Sequence, residues 1–247
     1  MRSVVADMIE RKLTEPIRVP CDVLQQVFTT RSVTDELSRT HPLASNISAP
    51  HANALYRAVV KHKPSLVVEV GMAYGISTLA ILTGLAELNN GGRLISIDPG
   101  QTLHYHGVGR ALVDRAGHSA RHTLFESPDY LALPELIRSG AVADFAYIDG
   151  WHTFDYTLVD FFLIDKLLRV DGVVGFNDCS LPSVRKVLGF LRGHRKYCEI
   201  DVGLKPSYLT RSVLETVRRI AFRISKSDRY FQKSESWEPT WDYWQSF

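Results

Sequence analysis

Cysteine is scarce: three in 247 residues, with Cys21, Cys179 and Cys198 at no metal-ligand spacing. That excludes a disulfide framework or a structural zinc and leaves three small thiols whose simplest place is the interior. Net charge is as scarce, since 29 basic and 27 acidic side chains leave +2. A protein that grips nucleic acid by bulk charge needs far more. Long apolar runs are missing, and nothing approaches the roughly 18 residues of a membrane-spanning helix. The opening MRSVVADMIERKL sets Asp7 and Glu10 where a signal peptide needs an apolar stretch. A reducing cytoplasm, with no membrane partner, is the expected setting. Repeats and low-complexity linkers are lacking as well. What remains, at 45% hydrophobic and 23% charged, is a globular chain long enough for one α/β domain with a sizeable core.

To about Pro64 the pattern is mixed. Val4–Leu13 is expected to form a short helix, Pro16, Pro20, Pro42 and Pro50 punctuate the residues after it, and His51–His62 has helical spacing. From Ser65 the chain alternates. Short β-branched runs at Leu66–Val70, Arg93–Ile97, His122–Phe125, Asp144–Ile148 and Val173–Phe176 are separated by helical patterns. Those patterns lie at Ile76–Leu88, Val108–Ala116, Leu131–Ser139, Phe154–Arg169 and Ser183–Arg192. Apolar strands with helices between them predict a doubly wound α/β fold: a parallel sheet covered on both faces, with ligands beyond the strands' carboxyl ends. Tyr197–Val202 reads as a further strand, and Arg219–Ser225, alternating with period two, as an edge or antiparallel one. The last stretch, WEPTWDYWQSF, holds three of the four tryptophans and is expected to pack on the body or on a partner copy. The chain thus divides into an N-terminal helical or lid segment (1–64), a main domain (65–225) and an aromatic tail (226–247).

The strand ends carry the chemistry. The first ends Glu69-Val70-Gly71-Met72-Ala73-Tyr74-Gly75 and opens a helix at Ile76-Ser77-Thr78. Glycines there let backbone approach a ligand, and the following helix offers free N–H groups. The second strand ends in Asp98, whose carboxylate suits vicinal ribose hydroxyls. The turn is G-x-x-x-G and not the G-x-G-x-x-G of dehydrogenases, and Glu69 inside the strand end suits an amine-bearing ligand.

These features resemble class I S-adenosylmethionine-dependent methyltransferases. The turn EVGMAYGISTLAIL is similar to that of small-molecule O-methyltransferases, the catechol type and its bacterial natural-product and sugar-modifying relatives. The likeness spans about Ser65 to Arg192. It implies a mostly parallel, seven-stranded Rossmann-like methyltransferase sheet with helices on both faces. It also implies S-adenosyl-L-methionine as cofactor, with Glu69, Gly71, Ala73, Gly75 and Ser77 around its methionine end, Asp98 on its ribose and Glu126 and Ser127 near its adenine. Ala73 departs from the commonest G-x-G-x-G form, a departure shared within this branch.

The fourth strand ends Asp149-Gly150-Trp151-His152 and the fifth Asn177-Asp178-Cys179. Asp149, Asn177 and Asp178 offer hard oxygen ligands suited to Mg2+ or another divalent cation. Catechol-type enzymes place such a metal there, with Asp149 at the cofactor too, but as an Asp-Asn pair. The reversed order here resembles Asp-Asp or His-Asp variants of sugar and antibiotic enzymes and leaves open that these residues only orient substrate. His152 stands where catechol-type enzymes carry a lysine base, and an imidazole titrating near neutrality can accept a hydroxyl proton. Helix capping is its bland alternative. The expected activity is methyl transfer to a hydroxyl of a small molecule by a possible homodimer. A nicotinamide-dependent oxidoreductase would explain Asp98 but not Glu69 or the turn. A non-catalytic cofactor-binding subunit would leave Asp149, His152 and Asp178 together unexplained.

Overall fold

The computed structural model of the chain describes residues 16–44, 46–206, 208, 213–222, 224–225 and 227–247. Helix α1 (Asp22–Thr30) and the hairpin β1 (Ser32–Thr34)–β2 (Thr40–Pro42) precede α2 (Ala49–His62). The alternation then runs β3 (Leu66–Val70), α3 (Ile76–Leu88), β4 (Arg93–Ile97), α4 (Val108–Arg115), β5 (His122–Phe125), α5 (Asp129–Arg138), β6 (Ala143–Ile148), α6 (Phe154–Leu167) and β7 (Leu168–Phe176). The chain continues with α7 (Pro182–His194), β8 (Tyr197–Ile200), α8 (Val213–Ala221) and β9 (Arg229–Lys233).

Seven strands form one sheet in the order β5-β4-β3-β6-β7-β9-β8. Pairs among the first five are parallel, whereas β9 runs antiparallel to both β7 and β8. This is the doubly wound sheet that the sequence predicts, closed by an antiparallel hairpin-like end. Its two faces bury separate apolar layers. Val67, Leu94, Phe145 and Val173 face Leu55 of α2 and Leu79 and Leu82 of α3. On the opposite side Val68, Ala146, Ile148 and Val174 meet Phe161 of α6 and Leu188 of α7. Each fully buried side chain of this kind contributes about 1.5–3 kcal/mol, so the centre of the sheet is its most firmly held part.

Three expectations change. Arg219–Ser225 is not a strand: Val213–Ala221 is helical, and Leu214, Val217 and Ile220 recur at the helical interval of three, which a short alternating window conceals. The antiparallel strand is instead Arg229–Lys233, so the sheet extends into the segment set apart as the tail. Tyr230 and Phe231 are consecutive and both buried, a two-faced strand without the alternation that marks a half-buried one. Of the three thiols, Cys198 is exposed while Cys21 and Cys179 are buried. The Val4–Leu13 helix falls outside the described residues. Beyond β9 the rings of Tyr243, Trp244 and Phe247 gather around His194 of α7, and Lys186 donates to the Phe247 carbonyl. Among the described residues no helix is long and apolar enough to cross a membrane.

Gly175 on β7 is a close-approach position: a Cβ there would lie 2.6 Å from the Tyr230 ring and 3.0 Å from that of Tyr147. Gly175→Ala is expected to force the stacked rings of Tyr147 and Tyr230 apart and to destabilise the fold by about 1–3 kcal/mol. Thermal or urea unfolding measures this, and an unchanged midpoint would contradict the packing described.

Candidate active site

The carboxyl ends of five neighbouring strands are locked in one row by four backbone hydrogen bonds running one residue past the strands. Gly71 N–H donates to Ile97 O (2.9 Å), Asp98 N–H to Phe125 O (3.0 Å), Asp149 N–H to Val70 O (2.8 Å) and Asn177 N–H to Ile148 O (3.0 Å). The residues singled out by the sequence at strand ends are therefore side by side. Three non-glycine residues of this rim, Ala73, His152 and Asp178, have left-handed backbone, with φ of 46°, 59° and 49°. Such strain collects at functional sites.

Gly71 is the tightest point. Its φ is +88°, and a Cβ would stand 2.1 Å from the Asp149 carbonyl oxygen, so only glycine lets the turn lie against β6. The turn itself is clamped by Asp98. One carboxylate oxygen accepts the Met72 and Ala73 N–H groups at 3.0 and 2.7 Å and the other accepts Gly100 N–H at 2.7 Å. Gln101, which the sequence reading did not single out, adds its amide to Ala73 O (2.7 Å) and to Asp98 (3.2 Å). A glutamine three residues after a strand-end acid carries no distinctive signal.

Behind the turn Glu69 is fully buried. Its Oε2 accepts Thr78 Oγ1–H at 2.7 Å and Ser96 Oγ–H at 2.6 Å, while Oε1 has no donor. Burial raises its pKa to about 7, against the hydroxyls of Ser77, Ser96 and Thr78 that lower it. An unpartnered buried acceptor beside a glycine turn fits an amine-bearing ligand such as S-adenosylmethionine. Glu126, by contrast, is occupied: it accepts from Thr102 and from Arg110, which also pairs with Glu36. Ser127 is half-buried in the loop before α5.

At the next strand ends His152 Nε2 lies 3.3 Å from Asp149 Oδ1 and 3.7 Å from Asp178 Oδ2. Ser183 Oγ–H holds the His152 carbonyl at 2.6 Å, which fixes the loop. Burial alone would lower the His152 pKa, but the hydrogen bond with Asp149 and the charges of Asp149, Asp178 and Asp228 prevail and raise it above its ordinary value. Asp149 is itself raised by burial.

Asp228, also missed by the sequence reading, closes the cluster. Its buried carboxylate accepts Tyr147 O–H at 2.7 Å and Asn177 Nδ2–H at 3.1 Å, and lies 3.6 Å from His51 Nε2 on α2. Burial pushes its pKa up to about 6, partly opposed by His51. It sits just ahead of β9, and with that strand unrecognised nothing in the sequence brings Asp228 to the site.

The expected oxygen set for a divalent ion does not fit this arrangement. Asn177 turns its amide nitrogen to Asp228 and Tyr147, and the place between Asp149 and Asp178 faces the His152 nitrogen. Among the described residues no three His, Cys, Asp or Glu side chains converge as metal ligands.

Residues 68–179 match the family model described as a methyltransferase domain. The O-methyltransferase from Bacillus cereus in complex with SAH is similar in structure, with a TM-score of 0.64, 15% identity and coverage of 78% of this chain and 89% of that one. The O-methyltransferase TomG from Streptomyces achromogenes, involved in tomaymycin synthesis and bound to SAM, has a TM-score of 0.63 at 16% identity, covering 94% and 96%. The SAH-bound methyltransferase PaMTH1 from Podospora anserina gives 0.66 at 13%, covering 95% and 97%. At such identities the likeness establishes the fold. No curated protein matches the sequence significantly.

The His152 environment is open to direct measurement. Its imidazole is expected to titrate above the ordinary 6.5, and Asp149→Asn to lower that value by about one unit, the effect of removing a close opposite charge. Resolved imidazole resonances followed through a pH titration would show it. A value at or below 6.5 in the unmodified protein would remove the proposed pairing.

Proposed function

We propose that this chain, whose residues 68–179 match a methyltransferase domain, is an S-adenosylmethionine-dependent methyltransferase that methylates a hydroxyl group of a small molecule with His152 as general base. The observation that carries the reading is the His152 imidazole, held between two carboxylates one strand away from the glycine turn. When bound, S-adenosylmethionine supplies an electrophilic methyl group on a sulfonium centre.

The chain's own residues do the rest. Glu69 takes the cofactor's amine end, and the turn from Gly71 to Gly75 with Ser77 brackets its methionine part. Asp98 keeps that turn in shape and stands at the ribose position. Its oxygens already accept three backbone donors, so ribose contact adds to a clamping role. Neutral His152 takes the acceptor's hydroxyl proton at Nε2 as the oxygen attacks. The imidazolium then formed sits against Asp149 and Asp178, which stabilise the charge as it develops. The same two carboxylates raise the pKa of the base, making it stronger but leaving more of it protonated at pH 7.

A small natural product is the proposed acceptor class. That TomG takes part in tomaymycin synthesis supports it. No step of this mechanism runs through magnesium: His152 Nε2 itself faces Asp149 and Asp178, at 3.3 and 3.7 Å.

Four outcomes are expected. His152→Ala lowers turnover by roughly 10²–10⁴ with cofactor affinity nearly intact, and the rate of the unmodified enzyme rises with pH along a limb above 6.5, where the base becomes neutral. Steady-state kinetics over pH check both, and a variant retaining most of its rate would remove His152 from the chemistry. Asp98→Ala weakens S-adenosylmethionine binding at least tenfold, the scale of losing charge-assisted hydrogen bonds; calorimetry giving unmodified affinity would rule out its assigned role. Turnover survives thorough chelation, and a rate abolished by chelator and restored by magnesium or manganese would reinstate the metal.

A further inference from the structure

One face of the sheet, otherwise lined by Val67, Leu94 and Phe145, carries a line of three polar side chains. Glu69 on β3 is in register with Ser96 on β4, and His122, whose register partner is Leu94, lies on the edge strand β5. Ser96 Oγ donates to Glu69 Oε2 at 2.6 Å, and His122 Nε2 lies 3.0 Å from the same Ser96 oxygen. A serine hydroxyl has one proton. With that proton committed to Glu69, Ser96 can only accept from His122, which must therefore be the neutral Nε2–H tautomer. Burial pushes its pKa down to about 4, so it is uncharged at neutral pH. The outer side of His122 lines a cavity of about 700 Å3 shared with Thr34, Glu36 and Arg110. Nothing in the methyl-transfer mechanism uses that residue, yet its hydrogen bond to Ser96 is carried on by the Ser96 hydroxyl to the acid beneath the glycine turn.

We infer that His122 is a positioning residue for cofactor binding: through Ser96 it fixes a hydroxyl proton on Glu69, holding the carboxylate ionised with its second oxygen open to the ammonium group of S-adenosylmethionine. This rests on the methyl-transfer reading and concerns only the amine end of the cofactor. Glu69 stands near its tipping point, because burial has raised its pKa to about 7. The groups that face it are Ser77 and Thr78 from α3, Ser96 from β4 with His122 behind it, and Asp149 from β6. The Asp149 charge acts in the same direction as burial, so the hydroxyl donors are what oppose protonation. Without His122 the Ser96 proton is no longer directed, and a neutral Glu69 cannot pair with an ammonium group.

The test is calorimetric titration with S-adenosylmethionine of the unmodified protein, His122→Phe, His122→Gln, Ser96→Ala and the His122→Phe/Ser96→Ala pair. At pH 7, His122→Phe is expected to weaken binding about tenfold, in line with one hydrogen bond to a charged group. Turnover at saturating cofactor should stay within about twofold, because the residue never touches the acceptor. The loss should shrink at pH 9, where Glu69 ionises unaided. His122→Gln, which keeps an N–H donor, should recover most of the affinity, and the double variant should be no weaker than Ser96→Ala alone. A melting temperature for each variant separates these effects from misfolding, and Ser96→Ala carries the same pH test should His122→Phe not fold. Unmodified affinity in the variants, a loss independent of pH, or additive losses in the pair would each overturn the inference. An unmodified protein that does not bind S-adenosylmethionine would instead overturn the methyl-transfer reading, and this with it.

Discussion

Two backbones meet where the site is made. The Gly71 turn lies so close to the Asp149 carbonyl that a single added carbon would stand 2.1 Å from the oxygen. That approach joins the two halves of the rim: the turn proposed to take a cofactor's amine end, and the strand end that carries Asp149 and His152. It exists because β3 and β6 are parallel neighbours in one register and because position 71 has no side chain. Were either condition lost, the turn and the β6 strand end would no longer share one rim. The strain at Ala73, His152 and Asp178 is tolerable for the same reason. Both faces of the sheet behind them are fully packed, and a rigid core can hold a few costly backbone angles at its edge.

The rim holds acids that are buried or half-buried. Glu69, Asp149 and Asp228 all have pKa values raised by burial, so each would shed charge unless something opposes it. The structure opposes it differently at each place. Glu69 has hydroxyl donors, Asp228 has Tyr147, Asn177 and the nearby His51, and Asp149 has His152. Glu69 and Asp228 are thus tied to donors from other elements and Asp149 to a donor in its own loop, which makes the protonation state of the site a property of the fold and not of any one residue.

Much of this was legible in the sequence, for a physical reason. Strands β3, β4 and β5 and helix α3 begin and end where their residues predict. Gly71 ends β3, Gly92 and Asp98 bound β4 and Asn89 ends α3, residue types that stop an element locally, while charged Arg121 and Glu126 bound β5. The site residues at strand ends were readable on the same ground, since a parallel sheet brings its carboxyl ends together whatever lies between. What stayed hidden depends on pairing at long range. Tyr230 and Phe231 show no alternation, so β9 was not recognised, and Asp228 and the network it holds were lost with it. Asn177 illustrates the consequence: as a residue type it suits a metal, but its amide is committed to an acid 51 positions away in the chain. Gln101 and His122 were obscure for a simpler reason, as polar residues next to a strand end are ordinary until their hydrogen bonds are seen.

The two ends of the proposed reaction are coupled through protons. Glu69 must be ionised to take an ammonium group, and its pKa lies near 7; His152 must be neutral to take a proton, and its pKa lies above 6.5. Both working forms are the deprotonated ones, so they gain population together as pH rises through neutrality. Placing an ammonium group beside Glu69 lowers that residue's pKa, since a nearby opposite charge favours the ionised form. By linkage the same cation binds more weakly at lower pH, where it must displace a proton first. Asp149 stands between the two, raising the pKa of Glu69 on one side and of His152 on the other. One carboxylate thus acts on both groups of the proposed reaction, adding to the burial that raises Glu69 and pairing with His152, and it stands between them because the glycine turn is pressed against its own backbone.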